Sequence, residues 1–172
     1  MDNKIVSLDM ERKSITIFCD GSCYWKTKKG GIGVYMIYDN EEFFISKGYK
    51  KTTIGRCEMR AFLTAIQSLR RDIPITATVY SDSQYVVRGL TENLRNWIDN
   101  NWKGCANIDL WKKIVEELNK RKKLRVRIKW HPGHRKELDN PIVYGNAVAD
   151  ALADYKNFTE YELDKIEENE NK

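Results

Sequence analysis

The chain has 172 residues, of which 41% are hydrophobic, and this is enough to bury one core and favours a single domain. No window approaches the roughly 18 consecutive apolar residues of a membrane span, and the N-terminus lacks the apolar segment of a signal peptide. We therefore expect no membrane partner and a cytoplasmic location. The four cysteines form no CxxC pair, which favours reduced thiols over a structural zinc site.

Charge is distributed unevenly along the chain. Residues 159–172 contain six acids and two lysines, so the net charge of this tail is −4. Because the whole chain has a net charge of +5, residues 1–158 have a net charge of +9. Such a basic body fits a polyanionic partner, although the same balance is common in proteins that are merely soluble. We expect an N-terminal extension over 1–13, a domain over 14–158 and an acidic C-terminal tail over 159–172, with both ends loosely ordered.

The first half of the chain begins with three strand-like runs, at 14–20, 31–38 and 42–49. The pair Asp39-Asn40 between the second and third runs is a hairpin signal. A helical period of apolar residues then runs from Arg56 to Leu69, and Pro74 ends it.

The second half alternates helices and strands. A strand over 75–82 is followed by a helix that starts near Asp82-Ser83, a tryptophan-rich segment over about 91–106 and a helix over 110–118. Residues 124–130, LRVRIKW, alternate apolar and basic side chains, which predicts a half-buried strand. A last helix is predicted over about 145–156. An antiparallel meander that leads into β-α units indicates one α/β domain with a mixed sheet.

Two carboxylates are expected at one edge of this sheet, and two more are candidates to join them. Asp20 and Asp82 end two strands that would be parallel neighbours, and ligands of α/β sheets bind beyond such strand ends. Glu58 lies in the first turn of a helix. Asp150 lies on the last helix among small residues, which allow a helix to approach a sheet closely.

Each carboxylate also has an ordinary structural explanation. Asp20 could be a turn residue before Gly21, Asp82 a helix N-cap, Glu58 a first-turn acid and Asp150 a solvated helix residue. Four such groups together would repel one another without a cation. A set of oxygen ligands selects a hard ion such as Mg²⁺ or Mn²⁺.

Several motifs follow one another along the chain: IFCDGSC (17–23), GRCEMRAFLTAI (55–66), YSDSQYVVRGL (80–90), NWKG and NIDLW (101–111), and PGH with GNAVADALA (132–153). Together they resemble the motifs of type 1 ribonuclease H. They follow the family's order over residues 14–153. The resemblance implies the ribonuclease H-like fold, a mixed five-stranded sheet flanked by helices, and a metal-binding quartet of Asp20, Glu58, Asp82 and Asp150.

The resemblance further implies an endonuclease that hydrolyses the RNA strand of RNA/DNA hybrids. Two Mg²⁺ ions per site, replaceable by Mn²⁺, would leave 5′-phosphate and 3′-hydroxyl ends, as in the removal of primers and R-loops. A monomer is expected. Two alternatives are a non-catalytic hybrid-binding domain and another nuclease of the same fold.

His134 in the PGH run matches the family's loop histidine, and the resemblance implies that it assists proton movement and product release. The sequence departs from the family around it. Arg135-Lys136 replace a small residue and glycine, and His131 stands where the family has an apolar residue. Gly55 also replaces an asparagine that often contacts nucleic acid in the family.

Further positions match the family's nucleic-acid contacts. A hybrid exposes 2′-hydroxyls in a wide, shallow minor groove. The resemblance assigns minor-groove contacts to Gly21, Ser22, Cys23 and Gln84, and a DNA phosphate pocket to Thr53 and Arg56. A shortened basic protrusion would contain Trp97, Trp102 and Lys103, although core packing is the alternative for both tryptophans.

Overall fold

The computed structural model describes residues 11–164, and within them the chain forms one mixed sheet with helices on both faces. The strand order is β5-β4-β1-β2-β3-β6. The first three strands are antiparallel, and β4 and β5 run parallel to β1. The α/β fold class and its meander are confirmed. The strands are β1 (Lys13–Tyr24), β2 (Lys29–Tyr38), β3 (Glu41–Lys50), β4 (Ile75–Ser81), β5 (Leu124–Trp130) and β6 (Glu162–Leu163).

The helices follow the predicted order. They are α1 (Ile54–Ser68), α2 (Gln84–Arg88), α3 (Leu94–Asp99), α4 (Ile108–Lys120) and α5 (Pro141–Ala153). A π-helical turn, Gly89–Asn93, joins α2 to α3, and a 3-10 turn, Tyr155–Asn157, follows α5. Within residues 11–164 no helix combines the length and the apolar character that crossing a bilayer requires.

The two faces of the sheet have different coverings. On one face, alternate strand residues such as Ile17 and Val79 pack with α1 and α4 in the main core. On the other face Phe18 and Tyr35 pack beneath α5. The hairpin between β2 and β3 is confirmed, because Asp39 and Asn40 both have positive φ, at 47° and 64°.

Strand β1 continues to Tyr24, although the predicted strand ends at Asp20. The reason is that Gly21 and Ser22 pair with Ile32 and Gly31 of β2. The parallel pairing of β1 with β4 ends one residue before Asp20, at Cys19 and Ser81. Asp20 and Asp82 therefore follow the last paired residues of two neighbouring strands.

Helix α5 begins four residues before the predicted start. Asn140 caps it by accepting hydrogen bonds from the N–H groups of Ile142 and Val143, and Pro141 occupies the first helical position. The Asn-Pro pair was thus a start signal in the sequence.

The expectation that the acidic tail is loosely ordered from residue 159 onwards is wrong for its first six residues. Glu162–Leu163 pair in parallel with Tyr49 and Lys50 as β6, so the predicted five-stranded sheet gains a sixth, short strand. Asp164 is buried. The rest of the tail and residues 1–10 of the N-terminal extension lie outside the described residues.

Candidate active site

Asp20 is buried at the edge of the sheet where the β1–β4 pairing ends. Only 6% of the residue is exposed, and its Oδ1 accepts a 2.7 Å hydrogen bond from the N–H of Gly21. The following glycine is required by packing, since a Cβ on Gly21 would lie 2.5 Å from the backbone nitrogen of Glu58. Gly21 thereby allows α1 to approach β1. Asp20 is a strand residue, so the alternative of a turn residue is wrong.

Glu58 points from α1 toward the start of α2. Ser83 Oγ donates a 2.6 Å hydrogen bond to Glu58 Oε2 and also accepts from the N–H of Val86 as the N-cap of α2. Because Ser83 is the cap, the carboxylate of Asp82 is not used for that purpose. Ser83 is a site residue that sequence reasoning missed, although its place after Asp82 was visible.

Asp150 reaches the same edge because α5 lies directly on β1 and β2. Any Cβ on Gly33 would overlap the carbonyl of Ala149, and one on Gly145 would overlap the ring of Phe18. This close contact brings the charge of Asp150 near enough to Asp20 to help raise the pKa of the Asp20 carboxyl. We call Asp20, Glu58, Asp82 and Asp150 the carboxylate cluster.

Burial raises the pKa values of three of the four carboxyl groups in the cluster. Burial, and then the charges of Asp82 and Asp150, raise the pKa of Asp20 to about 8. Burial also raises the pKa of Asp82, an effect that His134 opposes and Asp150 reinforces. For Glu58, burial raises the pKa against the hydrogen bond from Ser83.

These residues fit a divalent cation by their chemistry. All four ligand candidates are carboxylates, which suit Mg²⁺ or Mn²⁺. Within residues 11–164 no three His, Cys, Asp or Glu side chains already surround one point as a metal cage would. Burial and the charges of Asp82 and Asp150 raise the pKa of Asp20. A cation held between these carboxylates would offset their repulsion.

The loop after β5 closes one side of the cluster. Trp130 Nε1 donates a 3.1 Å hydrogen bond to the carbonyl of Asp82, and the N–H of His131 donates to the carbonyl of Ser81 at 3.0 Å. Gly133 lies against Asp82, because an added Cβ would overlap Asp82 Oδ2. His134 has a positive φ of 56° and is exposed.

A cavity of about 290 Å³ separates this loop from α5. His131 Nδ1 and Asn146 Oδ1 are buried there, and neither has a hydrogen-bond partner among residues 11–164. Orphaned polar atoms beside a carboxylate suit a hydrated site. The lining residues are His131, Pro132, His134, Arg135, Val143, Asn146, Ala147 and Asp150.

Comparisons with known proteins agree with this geometry. The sequence model of the family described as RNase H matches residues 12–157. A ribonuclease H of Haemophilus influenzae is 40% identical over 147 residues, covering 83% of this chain and 88% of that protein. A ribonuclease HI of Pasteurella multocida is 38% identical over 136 residues, covering 76% and 85%.

The chain belongs to the ribonuclease H family. The resemblance drawn from its motifs is confirmed, and the chain is a ribonuclease H enzyme of a family that uses divalent metal ions and binds RNA/DNA hybrids.

Solved structures show the same fold. A type 1 RNase H with the type 2 active-site motif, LC9-RNase H1, superposes with a TM-score of 0.71 at 22% identity, covering 84% of this chain and 72% of that one. The protease-reverse transcriptase of prototype foamy virus superposes with a TM-score of 0.67 at 26% identity, covering 81% of this chain and 20% of that one. The ribonuclease H-like fold is therefore confirmed.

The predicted minor-groove residues of this ribonuclease H differ in availability. Gly21 is buried, and the hydroxyl of Ser22 donates to the carbonyl of Ala153 at 2.5 Å and accepts from the N–H of Tyr155. Cys23 is half-buried and Gln84 is exposed in the first turn of α2. Cys23 and Gln84 thus have side chains that can meet a ligand, whereas the side chain of Ser22 fixes the end of α5.

Arg56 is not available as the predicted phosphate ligand. It is 4% exposed, and it donates five hydrogen bonds to Asp109, Asp164 and Asn107. The bonds to Asp109 are bidentate, at 2.9 and 2.7 Å. All five guanidinium N–H donors are therefore used inside the protein. Thr53 remains exposed and caps α1.

The partners of Arg56 were missed from the sequence. Asp164 also accepts from Arg60 and from the hydroxyl of Thr52 at 2.5 Å, and its side chain is fully buried. We call Arg56, Arg60, Asp109 and Asp164 the arginine cluster. No local pattern links Asp164 to Arg56, because 108 residues separate them.

The tryptophans of the predicted protrusion lie against the core. Trp97 and Trp102 are both half-buried beside it, and the Trp97 ring lies 5.3 Å from that of Trp111. Lys103 is exposed. Core packing thus covers much of the surface of each indole ring. The exposed parts of the two rings and Lys103 are accessible to a ligand.

Proposed function

We propose that this enzyme hydrolyses the RNA strand of RNA/DNA hybrids, with two divalent ions held by the carboxylate cluster. The observation that carries this proposal is the burial of Asp20 beside Asp82 and Asp150, which raises the pKa of Asp20 to about 8. Such repulsion is costly unless a cation offsets it. When bound, the ions supply an activated water and stabilise the leaving 3′ oxygen, giving 5′-phosphate and 3′-hydroxyl ends.

The surrounding residues prepare the cluster for this role. Ser83 orients one oxygen of Glu58 by a hydrogen bond, and the N–H of Gly21 fixes one oxygen of Asp20. Trp130 holds the backbone of Asp82 against the loop. Mg²⁺ is the expected ion and Mn²⁺ a substitute, since both prefer oxygen ligands.

His134 is the proposed proton carrier. Its side chain lines the mouth of the cavity beside Asp150, and its charge lowers the pKa of Asp82. An exposed imidazole at this place can exchange protons with solvent and with the reacting phosphate.

Substrate recognition is proposed to use short groups beside the cluster. The backbone at Gly21 and Ser22, with the side chains of Cys23 and Gln84, would read 2′-hydroxyls in the minor groove. Thr53 at the start of α1 would meet a DNA phosphate, because helix N-termini attract anions. Trp97, Trp102 and Lys103 would contact the DNA strand through their exposed parts.

The test is cleavage of end-labelled RNA in a hybrid, beside single-stranded RNA, duplex RNA and duplex DNA. We expect cutting confined to the RNA of the hybrid in Mg²⁺ or Mn²⁺, and none with a chelator. Asp82→Asn should abolish cutting while circular dichroism shows an intact fold. An active Asp82→Asn variant would contradict the mechanism.

The alternatives give other outcomes in the same assay. Tight hybrid binding without cutting in either metal would indicate a non-catalytic binding domain. Cutting of duplex DNA would indicate another nuclease of this fold.

The proposal includes a catalytic domain over 14–158, extended by β6 and the buried Asp164 of the tail, that acts as a cytoplasmic monomer. All four cysteines are unpaired, which fits a reducing compartment. Light scattering coupled to size exclusion measures the mass, and a dimer would contradict the monomer.

A further inference from the structure

Three cations form a row on one face of β5. Arg125, Arg127 and Lys129 are exposed, whereas the intervening Leu124, Val126 and Ile128 pack against the main core. Neighbours in the row lie about 6.6 Å apart and the whole row spans about 13 Å, from the usual rise of a strand. We call these three residues the β5 ladder.

The ladder lies on a part of the sheet that α5 leaves open. Its residues pair with Thr76, Thr78 and Tyr80 of β4, and the Lys129 ammonium lies 6.0 Å from the centre of the Tyr80 ring. Helix α5 packs mainly on β1 and β2 of this face. The open strip therefore combines three cations with two threonine hydroxyls.

Among residues 11–164 no acidic side chain forms an ion pair with the ladder. Charges on an edge strand often serve to prevent strands of other molecules from pairing with it. That purpose is met by either sign of charge. Here all three outward positions are positive, so each repels its neighbour, and a polyanion would relieve this repulsion.

The ladder starts at the catalytic edge. Lys129 precedes Trp130 and His131, whose N–H groups donate to the backbone carbonyls of Asp82 and Ser81. Arg127 and Arg125 follow at increasing distance from that edge. A strand that leaves the carboxylate cluster on this side would meet the three cations in sequence.

We propose that the β5 ladder binds the phosphate backbone of a single nucleic-acid strand that continues beyond the catalytic edge. Only the origin of that strand, as an overhang of the hybrid, rests on the proposed function. Arginine and lysine bind phosphates without reading sequence. One row of cations on one strand matches one backbone, whereas a duplex presents two.

The test compares two charge-matched triple variants of the full chain. One is Arg125→Gln/Arg127→Gln/Lys129→Gln, and the control is Lys112→Gln/Lys113→Gln/Lys122→Gln, whose lysines are exposed on or just after α4 on the other face of the sheet. Fluorescence anisotropy measures binding of a single-stranded oligonucleotide in chelator at several salt concentrations. The ladder variant should bind about 10- to 100-fold more weakly at 0.1 M salt, with a salt slope shallower by about 2.

The outcomes separate this proposal from the proposed function. In Mg²⁺ the ladder variant should cut a short blunt hybrid as the wild type does, and it should lose any preference for a hybrid with a single-stranded overhang. If neither protein cuts a hybrid, the proposed function fails while binding in chelator still tests the ladder. Equal losses in both triple variants, or an equal loss for duplex DNA, would overturn the proposal. The double variant Arg125→Gln/Arg127→Gln repeats the test should the triple variant not fold.

Discussion

Asp20 and Asp164 are both buried aspartates, but their surroundings have opposite effects. In the carboxylate cluster the neighbours of Asp20 are other acids, and burial together with their charges raises its pKa to about 8. In the arginine cluster burial also acts to raise the pKa of Asp164, yet hydrogen bonds from Arg56, Thr52 and Arg60 outweigh it and lower the pKa. The fold satisfies Asp164 internally, whereas Asp20 stays beside other acids, whose repulsion the proposed cation would offset. That difference separates the stabilising arginine cluster from the proposed active site.

The largest expected effect comes from removing the charge of Asp20. Asp20→Asn should reduce hybrid cleavage about 10³-fold or more, because the metal-held transition state loses several kcal/mol. Single-turnover cleavage in Mg²⁺ measures the loss. Glu41→Gln, an exposed acid of β3, is the control and should cut normally.

A substitution in the arginine cluster should lower the stability of the fold rather than the rate of cleavage. Asp164→Asn should lower the free energy of unfolding by about 3 kcal/mol, since it leaves the buried Arg56 charge without its partner. Urea unfolding measures this, with Glu160→Gln as an exposed control in the same segment. If the two variants are equally stable, the last described residues do not contribute to the fold as argued.

The two aspartates should also give opposite dependences of stability on pH in chelator. The raised pKa of Asp20 means that the folded state binds a proton more tightly than the unfolded chain, so its contribution is lost as pH rises from about 4 toward 8. The lowered pKa of Asp164 gives a contribution present above about 4 and lost as pH falls through the folded-state pKa. Unfolding free energies across pH 3–9 for wild type, Asp20→Asn and Asp164→Asn measure both slopes. Asp20→Asn should remove the loss of unfolding free energy between pH 4 and pH 8 and keep the loss at acidic pH. An unchanged profile would contradict the raised pKa assigned to Asp20.

The same comparison explains how far the sequence could be interpreted. The placement of Asp82 after a strand and of Glu58 on a helix was predictable, because the strand and helix periods are local patterns. The extent of β1 was not, because Gly21 and Ser22 stay in the strand only through pairing with β2. The internal hydrogen bonding of Arg56 was not predictable either, since its partner Asp164 lies 108 positions later in the chain. Contacts between distant segments leave no periodicity in either segment.

The most direct test of the central claim is the free energy of unfolding at pH 7 of wild type and Asp20→Asn, each in chelator and in Mg²⁺. In chelator Asp20→Asn should be the more stable protein, because it no longer requires a proton at the crowded edge. Mg²⁺ at 100 times its dissociation constant should stabilise the wild type by about 2.7 kcal/mol and the variant much less. Equal stabilisation of both proteins by Mg²⁺, or of neither, would contradict the claim that Asp20 is buried there to hold a cation.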